Sequence, residues 1–282
     1  MTRLLYFPFN WINNLRPLKI IDPDLKITQF KLLDVEYKYS LIEKIASPSR
    51  KLSNLFWMNY DWKALQNTLG NINICDLGCG SGKYYELLQE YSNNNIGKYT
   101  GLDIYENKNW EKLKVQNDNV GFIKYDGKNI LDLIPKETNL IISQSAIEHF
   151  TEDISIFKQV SEFVRDCEHS VYQIHLFPAA SGLKMFRYHG IRQYTPRNIS
   201  KITNLFSGFS NYSLLALGAD NSVKIHRKYI TKPSRTGSDL RYLKEEEYNK
   251  ECLNAIKKDM AKTLIVNDAA FYVLVIETKS RY

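Results

Sequence analysis

Asn71-Ile-Asn-Ile-Cys-Asp-Leu-Gly-Cys-Gly-Ser-Gly-Lys-Tyr-Tyr85 decides the fold, because an apolar strand here runs into three alternate glycines and then into a helix. Glycine lets the backbone approach a ligand closely and take the positive φ that a strand-to-helix turn needs. A dinucleotide fingerprint, G-x-G-x-x-G, would place its third glycine at position 83, where Lys83 stands. The spacing is instead G-x-G-x-G, which disfavours a dinucleotide. Such turns also occur with no ligand.

Asp76-x-Gly78-x-Gly80-x-Gly82 resembles the first motif of the class I S-adenosylmethionine-dependent methyltransferases. The resemblance implies S-adenosylmethionine as cofactor and S-adenosylhomocysteine as product. It further implies a glycine loop against the amino-acid half of the cofactor, with Asp76 orienting the loop and reaching the ammonium through water. Lys98-Tyr-Thr-Gly-Leu-Asp-Ile-Tyr-Glu106 supplies a second strand ending in Asp103, about 20 residues past the loop. A carboxylate there can accept both ribose hydroxyls, and Ile104 follows on the same edge. Val120-Gly-Phe-Ile-Lys-Tyr-Asp-Gly127 closes a third strand with Asp126 and Gly127, where the family commonly holds the adenine amino group with an acidic side chain. The alternative is a plain Asp-Gly turn. Thr138-Asn-Leu-Ile-Ile-Ser-Gln-Ser-Ala-Ile-Glu-His-Phe150 adds the buried fourth strand, with Ser143 counted among the cofactor residues and Glu148-His149 just beyond the strand end. Open α/β sheets bind ligands at that edge.

In methyl transfer to an alcohol the nucleophile must be aligned and must lose a proton. His149 is the first candidate base, since an imidazole ordinarily titrates near pH 6.5; a helix-start histidine bonded to backbone is the alternative. His175, at the end of the fifth strand, is the second, with a satisfied core histidine as its alternative. Glu148, His189, Arg192 and Tyr194 are the candidate substrate-binding residues, though an Arg and a Tyr in a loop also serve as surface packing. Ser143 to His149 also resembles the E-x-x-E-H ligand set of metal-assisted O-methyltransferases. Ser145 replaces the first glutamate, so no metal is expected. The Asn/Asp-Pro-Pro-aromatic signature of amino-group methylation of nucleic-acid bases is absent at positions 143–146.

Strands expected near 72–77, 98–103, 120–125, 138–143 and 170–177 alternate with helices near 83–92, 108–115 and 152–166. The fold class is therefore α/β, a Rossmann-like doubly wound sheet. The family adds an antiparallel end, placed here at Asn211–Gly218 and Ala269–Thr278, for seven strands in all. Leu55 to Leu69 reads as one amphipathic helix, and a helix should start after Thr195 with Pro196 in its first turn. Residues 1–54 form an N-terminal extension on a domain covering 55–282. Residues 220–266 are an insertion too long for an idle loop, serving as a lid, a substrate-selecting element or a dimer contact.

The chain has 282 residues, 44% of them hydrophobic, enough for one full core. Cysteines 75, 79, 167 and 252 show no metal or disulfide pattern and read as reduced thiols, in keeping with a cytoplasmic protein. The apolar run at the N-terminus is broken by Pro8 and Asn10, too short for a membrane span. The net charge of +7 is dispersed apart from Lys224 to Lys232 and Arg235. The expected reaction is methylation of an oxygen on a small polar metabolite, by a monomer or homodimer. A loose resemblance to bacterial methyltransferases of capsule and lipopolysaccharide points to a sugar or its phosphorylated precursor. RNA methylation, or a methyltransferase-like scaffold or regulatory protein without catalysis, are the alternatives.

Overall fold

The computed structural model describes residues 5–15, 20–182, 190–233, 237–263 and 266–280. Its strands are β1 (Lys26–Gln29), β2 (Ile72–Leu77), β3 (Ile96–Asp103), β4 (Val120–Lys124), β5 (Leu140–Gln144), β6 (Val171–Pro178), β7 (Asn211–Leu217) and β8 (Phe271–Thr278). They form one sheet in the order β1-β7-β8-β6-β5-β2-β3-β4. Neighbours are parallel except β8, which runs antiparallel to β6 and β7. Strands β2, β5, β6 and β8 are apolar nearly throughout and buried on both faces, as a sheet covered by helices on both sides requires.

The helices are α1 (Tyr6–Leu15), α2 (Val35–Ser40), α3 (Pro48–Asn59), α4 (Trp62–Leu69), α5 (Tyr84–Tyr91), α6 (Asn109–Gln116), α7 (Asp153–Asp166), α8 (Pro196–Thr203), α9 (Asp220–His226), α10 (Leu240–Leu243) and α11 (Glu245–Met260). Thr195 caps α8 through a reciprocal box with Asn198, with Pro196 in the first turn as its sequence requires.

Two expectations are corrected. The sheet has eight strands, because β1 from the N-terminal extension pairs in parallel with β7, Lys26 opposite Ser213. And Leu55 to Leu69 is not one helix: the chain breaks at Tyr60–Asp61, where the Asp61 carboxylate accepts the Ala64 N–H and starts α4.

The insertion packs against the N-terminal segment. The Tyr248 hydroxyl donates to Ala46 O, Tyr39 to Asn249 O, and the Arg241 guanidinium to Ile45 O. Lys51 lies fully buried between them, its ammonium donating to Asn249 Oδ1 at 2.8 Å and standing 4.2 Å from the Tyr39 ring centre. Burial pulls its pKa down to about 8. The buried Asp259 carboxylate accepts the N–H groups of Ala219, Asn221 and Ser222, capping α9 against α11.

Candidate active site

The site is built on the carboxyl ends of β2, β3, β4 and β5. At the end of β2 the chain turns through Gly78, Gly80 and Gly82, with φ of +79°, +56° and +75°. A Cβ on Gly78 would stand 2.5 Å from Ala146 Cβ, and one on Gly82 would stand 2.6 Å from the Phe122 ring. At Gly80 it would meet nothing among the described residues within 4 Å.

Three backbone donors of this loop point onto the end of β3. Gly78 and Cys79 N–H both donate to Leu102 O, at 2.8 and 3.1 Å, and Gly80 N–H donates to Asp103 Oδ2 at 2.8 Å. A loop that cradles phosphate must aim its N–H groups at the ligand; these three are turned onto the end of β3. From behind, Trp110 Nε1 donates to Gly80 O at 2.8 Å and stacks on Phe122 with ring centres 5.1 Å apart. Asn109 Nδ2 donates to Ser81 O at 2.9 Å. Trp110 and Asn109 were not singled out from the sequence, and the only trace there is a tryptophan shortly after the Asp103 strand.

Asp76 is buried. Its Oδ2 accepts the Tyr99 hydroxyl at 2.6 Å, while Oδ1 has no hydrogen-bond donor among the described residues. Desolvation pushes its pKa up to about 7, against the lowering effect of the Tyr99 bond. Asp103 is half-buried. Besides Gly80, it accepts Tyr105 N–H at 3.0 Å on Oδ1, which leaves further lone pairs on both oxygens. Ile104 is 42% exposed beside it, and Gly127 comes so close that a Cβ would lie 3.1 Å from Ile104 Cγ2. Ile104 and Gly127 thus form one apolar corner next to Asp103. Asp126 is exposed, and its carboxylate accepts Lys128 N–H, Asn129 N–H and Asn129 Nδ2, so it closes its own turn and is held below the usual carboxylate range.

At the end of β5, Ser145 takes φ +53°, uncommon for a residue with a side chain, and the chain then makes a short 3₁₀ turn over Ile147–His149. Ala146 and Phe150 are the residues that press on Gly78, which sets the turn carrying Glu148 and His149 directly against the glycine loop. His149 is exposed. Glu148 is fully buried, and burial pushes its pKa up to about 8. Its carbonyl accepts Ile191 and Arg192 N–H, and Gly190 passes so close that a Cβ would lie 2.8 Å from that oxygen.

Four residues expected at the ligand lie elsewhere. Ser143 is fully buried and pairs with His175 Nδ1 at 2.9 Å. His175 is equally buried, packed edge-on to Phe157 at 4.9 Å, and burial drops its pKa to about 3. It is a neutral core histidine and is removed from the general-base role. Arg192 and Tyr194 are also buried. Arg192 forms an ion pair with Asp153 at 3.0 Å and donates to the carbonyls of Phe150 and Thr151, and the Tyr194 hydroxyl donates to Asp153 Oδ2 at 2.8 Å and to Ile147 O at 3.2 Å. Instead of reaching a substrate, they fasten the Glu148–His149 turn from below. His189 lies outside the described residues.

Above β5, Trp57 of α3 donates its Nε1 to Gln144 Oε1 at 2.9 Å, and Gln144 Nε2 is buried with no acceptor among the described residues. Asn54, also on α3, accepts the Tyr84 hydroxyl at 3.1 Å. Helix α3 thereby reaches the end of β5 through Trp57 and the start of α5 through Asn54, contacts that the sequence pattern did not reveal.

Residues 75–168, about a third of the chain, match the methyltransferase domain family. No curated protein matches the sequence. Among solved structures, the plantazolicin methyltransferase BamL, determined with S-adenosylhomocysteine, is 14% identical with a TM-score of 0.48, over 86% of this chain and 89% of its own. A SAM-dependent methyltransferase from Archaeoglobus fulgidus is 18% identical with a TM-score of 0.46, over 77% and 90% of the two chains. Phosphoethanolamine N-methyltransferase 2 of Haemonchus contortus is 12% identical with a TM-score of 0.47, over 83% and 57%. At such distances these likenesses say nothing about an acceptor.

Proposed function

We propose that this chain, which carries the domain of the class I S-adenosylmethionine-dependent methyltransferases, methylates an oxygen of a small polar metabolite, such as a sugar or a phosphorylated precursor of bacterial surface polysaccharide. One observation carries the cofactor side of this reading. The N–H groups of Gly78, Cys79 and Gly80 donate to the end of β3 while Asp76 keeps a buried oxygen without a donor among the described residues. That arrangement suits a cationic amino-acid end and does not suit a pyrophosphate. When bound, the cofactor supplies a methyl carbon already activated by its sulfonium.

The chain's own residues do the rest. Asp103 accepts from the ribose hydroxyls, the Ile104–Gly127 corner packs the adenine, and Asp76 balances the ammonium. His149 takes the acceptor's hydroxyl proton from its exposed position on the turn that touches Gly78. Glu148 is buried behind it, its carbonyl holding Ile191 and Arg192 N–H, and so supports the turn from inside. Gln144 Nε2 is placed to hold a polar oxygen. Two cations of the basic run are paired, Lys224 with Asp220 and Lys228 with Glu247 and Glu251, which lowers the positive field an RNA would need. Screening sugars, phosphorylated metabolites and RNA for methyl uptake tests the substrate class; uptake by RNA alone would overturn it.

Burial of Asp76 sets a pH dependence. Its pKa stands at about 7 in the free protein, so below that pH it must lose a proton to balance the cofactor's ammonium. Affinity for S-adenosylmethionine is therefore expected to rise with pH up to about pH 7, by up to about tenfold per unit, and to fall only where the cofactor's own ammonium loses its proton, at about pH 8 or above. Calorimetric titration below about pH 7 checks it. The Asp76→Asn variant should bind weakly with a flat profile there, and a wild-type profile that falls with pH in that range would refute the role given to Asp76.

A further inference from the structure

Over residues 6–12, helix α1 presents most of its apolar side chains to solvent. Tyr6 and Asn10 face inward at 3% and 0% exposure, and Asn10 is hydrogen-bonded to Tyr6 O, Ile191 O and the Gln193 N–H. Leu5, Phe9 and Ile12, spaced i, i+4, i+7, and Trp11 beside them, face solvent at 58%, 37%, 48% and 67%. Ile20 and Ile21 are exposed as well, at 72% and 42%. An amphipathic helix normally buries its apolar side; here a polar asparagine is the anchor and the apolar side is presented outward, which marks an interaction surface.

Charge decides the occupant. The first 21 residues contain Arg3, Arg16 and Lys19 and no acidic residue, and the exposed Arg197 belongs to α8, against which α1 packs. A second copy of this chain would bring two such basic segments together, and like charges oppose that contact. A bilayer carrying anionic lipid satisfies both the apolar face and the charge, and tryptophan is favoured at the membrane–water boundary. Among the described residues no helix is long and apolar enough to cross a membrane, so α1 would lie along the surface.

We infer that the exposed face of α1, formed by Phe9, Trp11 and Ile12 with the preceding Leu5, docks this protein on an anionic membrane surface. The anchor adjoins the site: Asn10 holds Ile191 and Gln193, and Ile191 N–H donates to Glu148 O. Docking would therefore place the Glu148 side of the site near the lipid surface. The inference goes beyond the acceptor reading and does not depend on it, since its test reads sedimentation and no methyl transfer.

The test mixes the full chain with vesicles of phosphatidylcholine alone, or of phosphatidylcholine and phosphatidylglycerol in equal parts. Wild-type protein is expected to sediment with the anionic vesicles, to be released by salt, and to bind the neutral ones at least about tenfold more weakly. Trp11→Glu combined with Ile12→Glu changes only exposed positions and should abolish sedimentation while leaving Tm unchanged. Equal binding by the variant, or no binding of wild type to anionic vesicles, would overturn the proposal. So would a wild-type dimer in light scattering that becomes monomeric in the variant, which would assign the face to a second copy.

Discussion

Replacing His149 by alanine is expected to lower kcat by about 10²-fold or more at saturating acceptor, the range lost when a positioned general base is removed. The reason is placement. His149 ends a turn whose neighbours Ala146 and Phe150 press on Gly78, and it is exposed on the edge where the β2, β3 and β5 ends converge. Cofactor affinity should be unaffected, because nothing in the role given to His149 touches S-adenosylmethionine. Single-turnover rates alongside cofactor titration separate the two. An unchanged kcat would dismiss His149 as the base, whereas a weakened cofactor affinity would turn it into a binding residue.

Arg192→Ala should cost about 3–5 kcal/mol and lower Tm by on the order of 10 °C. The substitution strips the counter-charge from the buried Asp153, 3.0 Å away, and leaves the carbonyls of Phe150 and Thr151 without their donors. Burial already raises the Asp153 pKa despite the neighbouring guanidinium. Adding Asp153→Asn to the variant should therefore restore part of the stability, because the uncompensated carboxylate is gone. Thermal unfolding of the single and double variants measures this. A loss of acceptor binding with unchanged Tm would instead return Arg192 to the substrate.

The central strands were legible because parallel strands buried on both faces appear as short apolar runs ended by turn residues, as in Ile72–Leu77 and Leu140–Gln144. Strand β1, Lys26–Gln29, was not, since a four-residue edge strand with alternate exposed and half-buried positions carries no run. The glycine loop and Asp103 were legible as local motifs. Arg192 and Tyr194 were misread for the opposite reason. Their partner Asp153 lies about 40 residues away, and only tertiary packing turns a polar loop sequence into a buried ion pair. Ser143 and His175 failed together because they face one another across the β5–β6 register, inside the sheet layer and away from its edge. Trp110, Trp57 and Gln144 act through contacts between distant segments, which spacing alone does not disclose.

Calorimetric titration of the intact chain with S-adenosylmethionine and S-adenosylhomocysteine, beside an Asp103→Ala variant, measures whether this sheet edge binds the cofactor. Asp103 holds the Gly80 N–H and offers its remaining lone pairs to the ribose, so the expected result is micromolar binding of both ligands by the intact chain and its loss in the variant. No binding by the intact chain would contradict the enzyme reading and turn the search toward protein partners of a methyltransferase-like scaffold.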